Sequence, residues 1–92
     1  MVQKGIDQKA KELFYETVSK FRNRAEFEEF FSDLLSSSEI KDFSRRLLAA
    51  KLLIEGETYL DINFKMGMSA GTINKIHFKT KGSPLFNALF SK

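Results

Sequence analysis

The stretch ETYLDINFKMGMSAGTINKIHFK, residues 57–79, decides the fold. A helix-turn-helix needs two short helices crossing steeply, a tight turn between them, and a shared apolar core. That geometry sets where apolar residues must stand relative to the turn. With Gly67 as the turn, Ile62 lies five residues before it, Met66 one before and Met68 one after, and Ile73 and Ile76 lie six and nine after. All five positions that should be buried carry large apolar side chains. Thr58 can cap the first helix, with Asp61 three residues later, and Ser69 can cap the second. One departure is Asn63, where this motif often has alanine at the tight contact between its helices.

The second helix of the pair has the chemistry of a surface that meets DNA. A helix N-terminus offers unpaired N–H groups and positive dipole charge, which favour phosphate. Ser69, Ala70 and Gly71 are small enough to let the backbone approach DNA closely. Thr72 and Asn74 can hydrogen-bond base edges, and Lys75 can meet phosphate or guanine. Lys65, Lys79 and Lys81 are candidate phosphate contacts. Charge placement agrees with this. Residues 1–61 hold all twelve acids against ten Lys/Arg, a balance of −2, whereas residues 62–92 hold five lysines and no acid. Such asymmetry suits a polyanionic partner. A helical protein-interaction module with a solvated lysine face would also satisfy the pattern, so both readings stay open.

The rest of the chain reads as helices. Period-2 alternation and Asn-Gly or Asp-Gly hairpin turns are missing. Ile6, Ala10, Leu13, Phe14, Val18 and Phe21 recur at steps of three and four, an apolar stripe of about four turns. Asn23, three residues before Glu26, is placed to cap a second, shorter helix striped by Phe27, Phe30, Phe31, Leu34 and Leu35. After the serine run 36–38, with Ser36 three residues before Glu39, a third helix is expected from about Ser38 to Glu55, stopped by Gly56. It is apolar nearly all round, which calls for cover on several sides, part of it from a second subunit. Ser83 followed by Pro84 is a helix start, so a short C-terminal helix is expected over 83–91. We expect one helical domain over residues 1–92, with the helix-turn-helix at 58–79.

Composition excludes several function classes. With 92 residues, 42% apolar and 29% charged, the chain suits one small domain. At this size folding buries only roughly 60–65% of the unfolded surface, so self-association is the natural reinforcement. There is no cysteine and only one histidine, His77. Disulfides, thiol catalysis and multi-histidine metal clusters are therefore excluded, and no cofactor or metal is expected. No carboxylate pair or nucleophile constellation points to an enzyme, and His77 is expected on the surface or against phosphate. No apolar run approaches the roughly 18–20 residues of a membrane span. The opening MVQKGIDQKAKE lacks the apolar core of a secretory signal, so a cytoplasmic location is expected. The ten phenylalanines sit mainly on helical stripes and read as core packing. Tyr15 and Tyr59 are expected to be half-buried, with no chemistry of their own. Arg45 and Arg46 can pair with Asp42 or Glu39 on their own helix, or meet a ligand or DNA.

At this point a family resemblance emerges. The run LLSSSEIKDFSRRLLAAKLLIEGETYLDI, together with GMSAGTINKI, resembles the Trp repressor-like proteins and more closely their YerC/YecD-type branch. The features that carry it are Leu34-Leu35 before the serine cap, Arg45-Arg46 followed by an apolar helix, and Leu52-Leu53 before Gly56. Thr58, Tyr59 and Ile62 after that glycine, then Gly67, then Thr72, Ile73 and Lys75, complete it. It covers about residues 34–76. The resemblance implies an all-α, intertwined helical homodimer with one helix-turn-helix per subunit, bound to double-stranded DNA. The Trp repressor itself is a standard example of this docking, in which two recognition helices enter successive major grooves about one DNA turn apart.

The resemblance also bears on a small-molecule effector. In the Trp repressor two arginines sandwich the corepressor indole. The first matches Arg46, a candidate ligand-binding residue. The second matches Lys75, which lacks the planar guanidinium needed to stack on a ring. A small glycine that admits the ligand corresponds to Ile76. L-tryptophan is therefore not expected as a ligand.

Overall fold

The computed structural model describes residues 5–91. Six helices run in chain order: α1 (Ile6–Ser19), α2 (Arg24–Leu34), α3 (Ser37–Ile54), α4 (Tyr59–Met66), α5 (Ala70–Thr80) and α6 (Pro84–Phe90). No strand occurs among the described residues, and none of these helices is long and apolar enough to cross a membrane. The third helix sits one residue earlier at each end than its pattern suggested, a difference within the fraying of helix termini. Two compact units divide between Ser37 and Ser38.

In the first unit, α2 starts where Asn23, in extended backbone, turns its side chain onto the Glu26 N–H at 3.0 Å. Glu26 does not close the usual reciprocal box. It reaches one residue further back, accepting from the Arg22 N–H at 2.8 Å and from the Arg22 guanidinium at 3.0 Å. These two bonds, the backbone one first, hold the Glu26 carboxyl below the usual glutamate range, with a small opposing push from desolvation. The apolar stripes meet as rings. Phe21 lies 4.8 Å from Phe27 and 5.0 Å from Phe30 between centroids, and Phe14 meets Phe31 edge-on at 6.4 Å. Neither α1 nor α2 has a fully buried residue. Tyr15, expected to be half-buried, is 66% exposed. Phe14 takes the inward place and Tyr15, the next residue round the helix, points away.

The second unit holds the core. Ala49 and Ala50 of α3, Ile62 of α4, Met68 of the turn, and Ile73 and Ile76 of α5 form one buried cluster. Met66, expected to be buried with them, lies only half-buried at the edge of the cluster, with Leu52, Leu53, Tyr59 and Phe86. Two alanines on α3 let the other helices come close. The large α3 residues Phe43, Leu47 and Leu48 stay exposed in the single chain.

Each helix end in this unit has a local cause. Gly56 takes φ +96°, and the Glu57 and Gly56 N–H groups return to the Leu52 and Leu53 carbonyls at 2.9 and 3.1 Å. This paired bonding satisfies the last turn of α3 and needs the left-handed residue that glycine supplies. Thr58 caps α4 by accepting from the Asp61 N–H at 3.1 Å, and Ser69 caps α5 by accepting from the Thr72 N–H at 3.2 Å. Ser83 caps α6 through the Phe86 N–H, with Pro84 in the first turn.

Two outcomes follow for stability. Gly67→Ala meets no atom within 4 Å but must hold φ +64°, so it should cost about 1–2 kcal/mol from backbone conformation alone. Ile62→Ala, at a site with 0% exposure, should cost about 2–5 kcal/mol. Urea unfolding of the two variants checks both magnitudes. In the first unit, Glu26 should titrate below other glutamates in a carboxyl NMR titration. Arg22→Ala should return it only part-way, because the backbone N–H remains. A depressed folded-state pKa stabilises the fold above the unfolded value, and that stability is lost as pH falls through the folded one.

Candidate nucleic-acid interface

The turn that joins α4 to α5 is braced from three sides. Gly67 adopts φ 64°, ψ 24°, and its N–H bonds the Asn63 carbonyl at 2.8 Å. Asn63, the departure from the motif, sends its side-chain Nδ2 across the turn to the Met68 carbonyl at 2.7 Å. It thus supplies a hydrogen bond where alanine would only supply room. From α3, the Arg45 guanidinium donates to the carbonyl of Met66, the last residue of α4. This is a bond that Arg45 was not expected to make: it serves a helix C-terminus, where cationic groups are favoured. Arg46 is exposed.

Burial of Ile73 and Ile76 turns one side of α5 inward, and the helical period then sets the opposite side. Ala70, Gly71, Asn74, Lys75 and Lys79 are exposed, as are Ser69 in the turn and Lys81 after the helix. No carboxylate lies on α5. At its N-terminus Ser69 takes the Thr72 N–H, which leaves the earlier N–H groups facing outward. A Cβ added at Gly71 would meet nothing within 4 Å, so no intrachain contact requires glycine there.

Several candidate side chains are already engaged. Thr72 is half-buried, and its Oγ1 accepts from Ser69 Oγ at 3.0 Å. Lys65 pairs with the Glu57 carboxylate, whose hydrogen bond holds the ammonium above the usual lysine range. Both groups are exposed enough for a phosphate to compete, since surface pairs are weakly held. The Lys81 ammonium lies over the Phe78 ring, 5.5 Å from its centroid. Lys75 and Lys79 project freely into solvent.

The Trp repressor protein profile matches this chain over residues 9–91. The chain belongs to that family. A 33% identical relative, the uncharacterized protein YerC of Bacillus subtilis (strain 168), aligns over 70 residues, covering 74% of this chain and 67% of that protein. No solved structure matches. In this member of the Trp repressor family, Ile76 fills core space at 6% exposure, while Arg46 and Lys75 stand exposed.

Contacts made by three residues escaped sequence reading. Tyr59, which carried no expected chemistry, places its hydroxyl 3.1 Å from Asn74 Oδ1 and 2.7 Å from His77 Nδ1. His77, expected to be at the surface, is half-buried with its ring edge-on to Tyr59. The Asn63 and Arg45 braces are the others. Spacing could not reveal them, because each links residues on different elements or across the turn.

Proposed function

We propose that this protein is a sequence-specific DNA-binding transcriptional regulator, acting as a homodimer with α5 as the recognition helix in the major groove. The observation that carries the reading is the two-sidedness of α5. Its inner face is sealed with Ile62 and Met68, and its outer face presents Gly71, Asn74, Lys75 and Lys79 with no acid. Ser69, Ala70 and the outward N–H groups suit phosphate, while Thr72, Asn74 and Lys75 suit base edges. Lys65, Lys79 and Lys81 suit the flanking backbone. Residues 58–79 act as the helix-turn-helix, followed by the C-terminal helix α6 (Pro84–Phe90). Family membership supports a regulator and not an enzyme. The exposed Leu47 and Leu48 of α3 and Leu85 and Leu89 of α6 support a partner subunit, because large apolar side chains left open on a small chain favour association.

A second reading, a helical interaction module that does not read DNA, is favoured by Leu60, Phe64 and Phe78, which are 77%, 89% and 76% exposed. Mobility shifts at graded salt separate the two. DNA binding through phosphates should weaken steeply as salt rises, and Lys75→Ala should lose roughly 1–3 kcal/mol of specific affinity. A flat salt response, with a protein partner retained, supports the module. Selection from a random DNA pool should yield a two-fold symmetric consensus with half-sites about one helical turn apart.

On the same reading, L-tryptophan is not expected to be an effector. Lys75 cannot stack on an indole as a guanidinium does, and the family resemblance implies that Ile76 stands where a small glycine would admit the ligand. Isothermal titration with L-tryptophan should show no binding in the micromolar range.

A further inference from the structure

We propose that Tyr59 is a positioning residue for base recognition: its hydroxyl, held by His77, turns the Asn74 carbonyl inward and the Asn74 amide outward, so that Asn74 selects guanine over adenine. This rests on the DNA-reading role of α5 proposed above. Tyr59 opens α4, and its half-buried ring packs against the core. The hydroxyl therefore comes from the supporting helix to the exposed edge of the reading helix. It has one proton and two neighbours, Asn74 Oδ1 at 3.1 Å and His77 Nδ1 at 2.7 Å. A carboxamide oxygen only accepts, whereas an imidazole nitrogen donates or accepts according to its tautomer. One arrangement satisfies both contacts. His77 Nδ1–H donates to the Tyr59 oxygen, and the Tyr59 O–H donates to Asn74 Oδ1.

The consequence lies at the exposed end of Asn74. Oxygen and nitrogen occupy opposite arms of a planar group, so tying the oxygen toward α4 directs the two N–H donors away from the protein. Asparagine reads adenine by offering both arms to one base edge, accepting from N6 and donating to N7. With the accepting arm engaged by Tyr59, the outward group is a donor. Guanine presents two adjacent acceptors, O6 and N7, to such a donor. Without the hydroxyl the carboxamide can rotate and offer both arms again.

The test is selection from a random DNA pool by the wild type, Tyr59→Phe, Asn74→Ala and the double variant. Tyr59→Phe keeps the ring in the core and its edge-on contact with His77, and thermal melting of each variant confirms folding. The wild type should enrich guanine at one position of each half-site. Tyr59→Phe should raise adenine relative to guanine there by roughly tenfold, leaving other positions unchanged. Asn74→Ala should erase the preference, and Tyr59→Phe should add nothing to it. An unchanged preference in Tyr59→Phe, or an equal loss at every position, overturns the proposal while leaving DNA reading intact. A wild type that enriches no sequence overturns both. Nitrogen NMR of the free protein supplies a readout independent of DNA. His77 should carry its proton on Nδ1, and the Asn74 side-chain amide signals should move in Tyr59→Phe. An unprotonated Nδ1, or unmoved amide signals, defeats the proposed chain of hydrogen bonds.

Discussion

The joint burial of Ile62 and Ile73 across a left-handed glycine turn is the constraint on which the exposed face of α5 depends. Helices of 8 and 11 residues are too short to persist alone in water, where such lengths are marginal even for strong helix formers. They hold here because Thr58 and Ser69 satisfy their first turns and because one apolar cluster seals both inner faces. Gly67 makes the reversal sterically free, and Asn63 and Arg45 occupy carbonyls at the turn that the reversal would otherwise leave to water. Once Ile73 and Ile76 point inward, the helical period leaves Asn74, Lys75 and Lys79 no direction but outward.

The outer face is partly ordered before any partner arrives. Thr72 is held by Ser69, Asn74 by Tyr59, and Lys65 by Glu57. Side chains already restricted lose less entropy on binding, so such contacts favour specificity over raw attraction. Lys75 and Lys79 stand exposed on the same face.

Small size leaves its mark elsewhere. The buried cluster is confined to the second unit, and the first is joined by phenylalanine rings that none of its neighbours fully covers. Large apolar side chains on α1, α3 and α6 stay open to solvent in the single chain. The hydrophobic effect disfavours that exposure.

Local sequence alone determined the helices and most of their ends. Caps, the left-handed glycines and the apolar periods act within three or four residues, so Asn23, Thr58, Gly56, Gly67, Ser69 and Ser83 could be read directly. The inward set Ile62, Met68, Ile73 and Ile76 was legible for the same reason, since one turn residue sets their phase. Tyr15 went astray because periodicity places a stripe only to within one residue of its edge. The link from Tyr59 to Asn74 spans fifteen residues, and that from Arg45 to Met66 spans twenty-one. Hydrogen bonds of that kind have no period and no spacing rule. They exist only where packing has already brought two helices within about 3 Å of bonding reach, so the tertiary structure alone decided them.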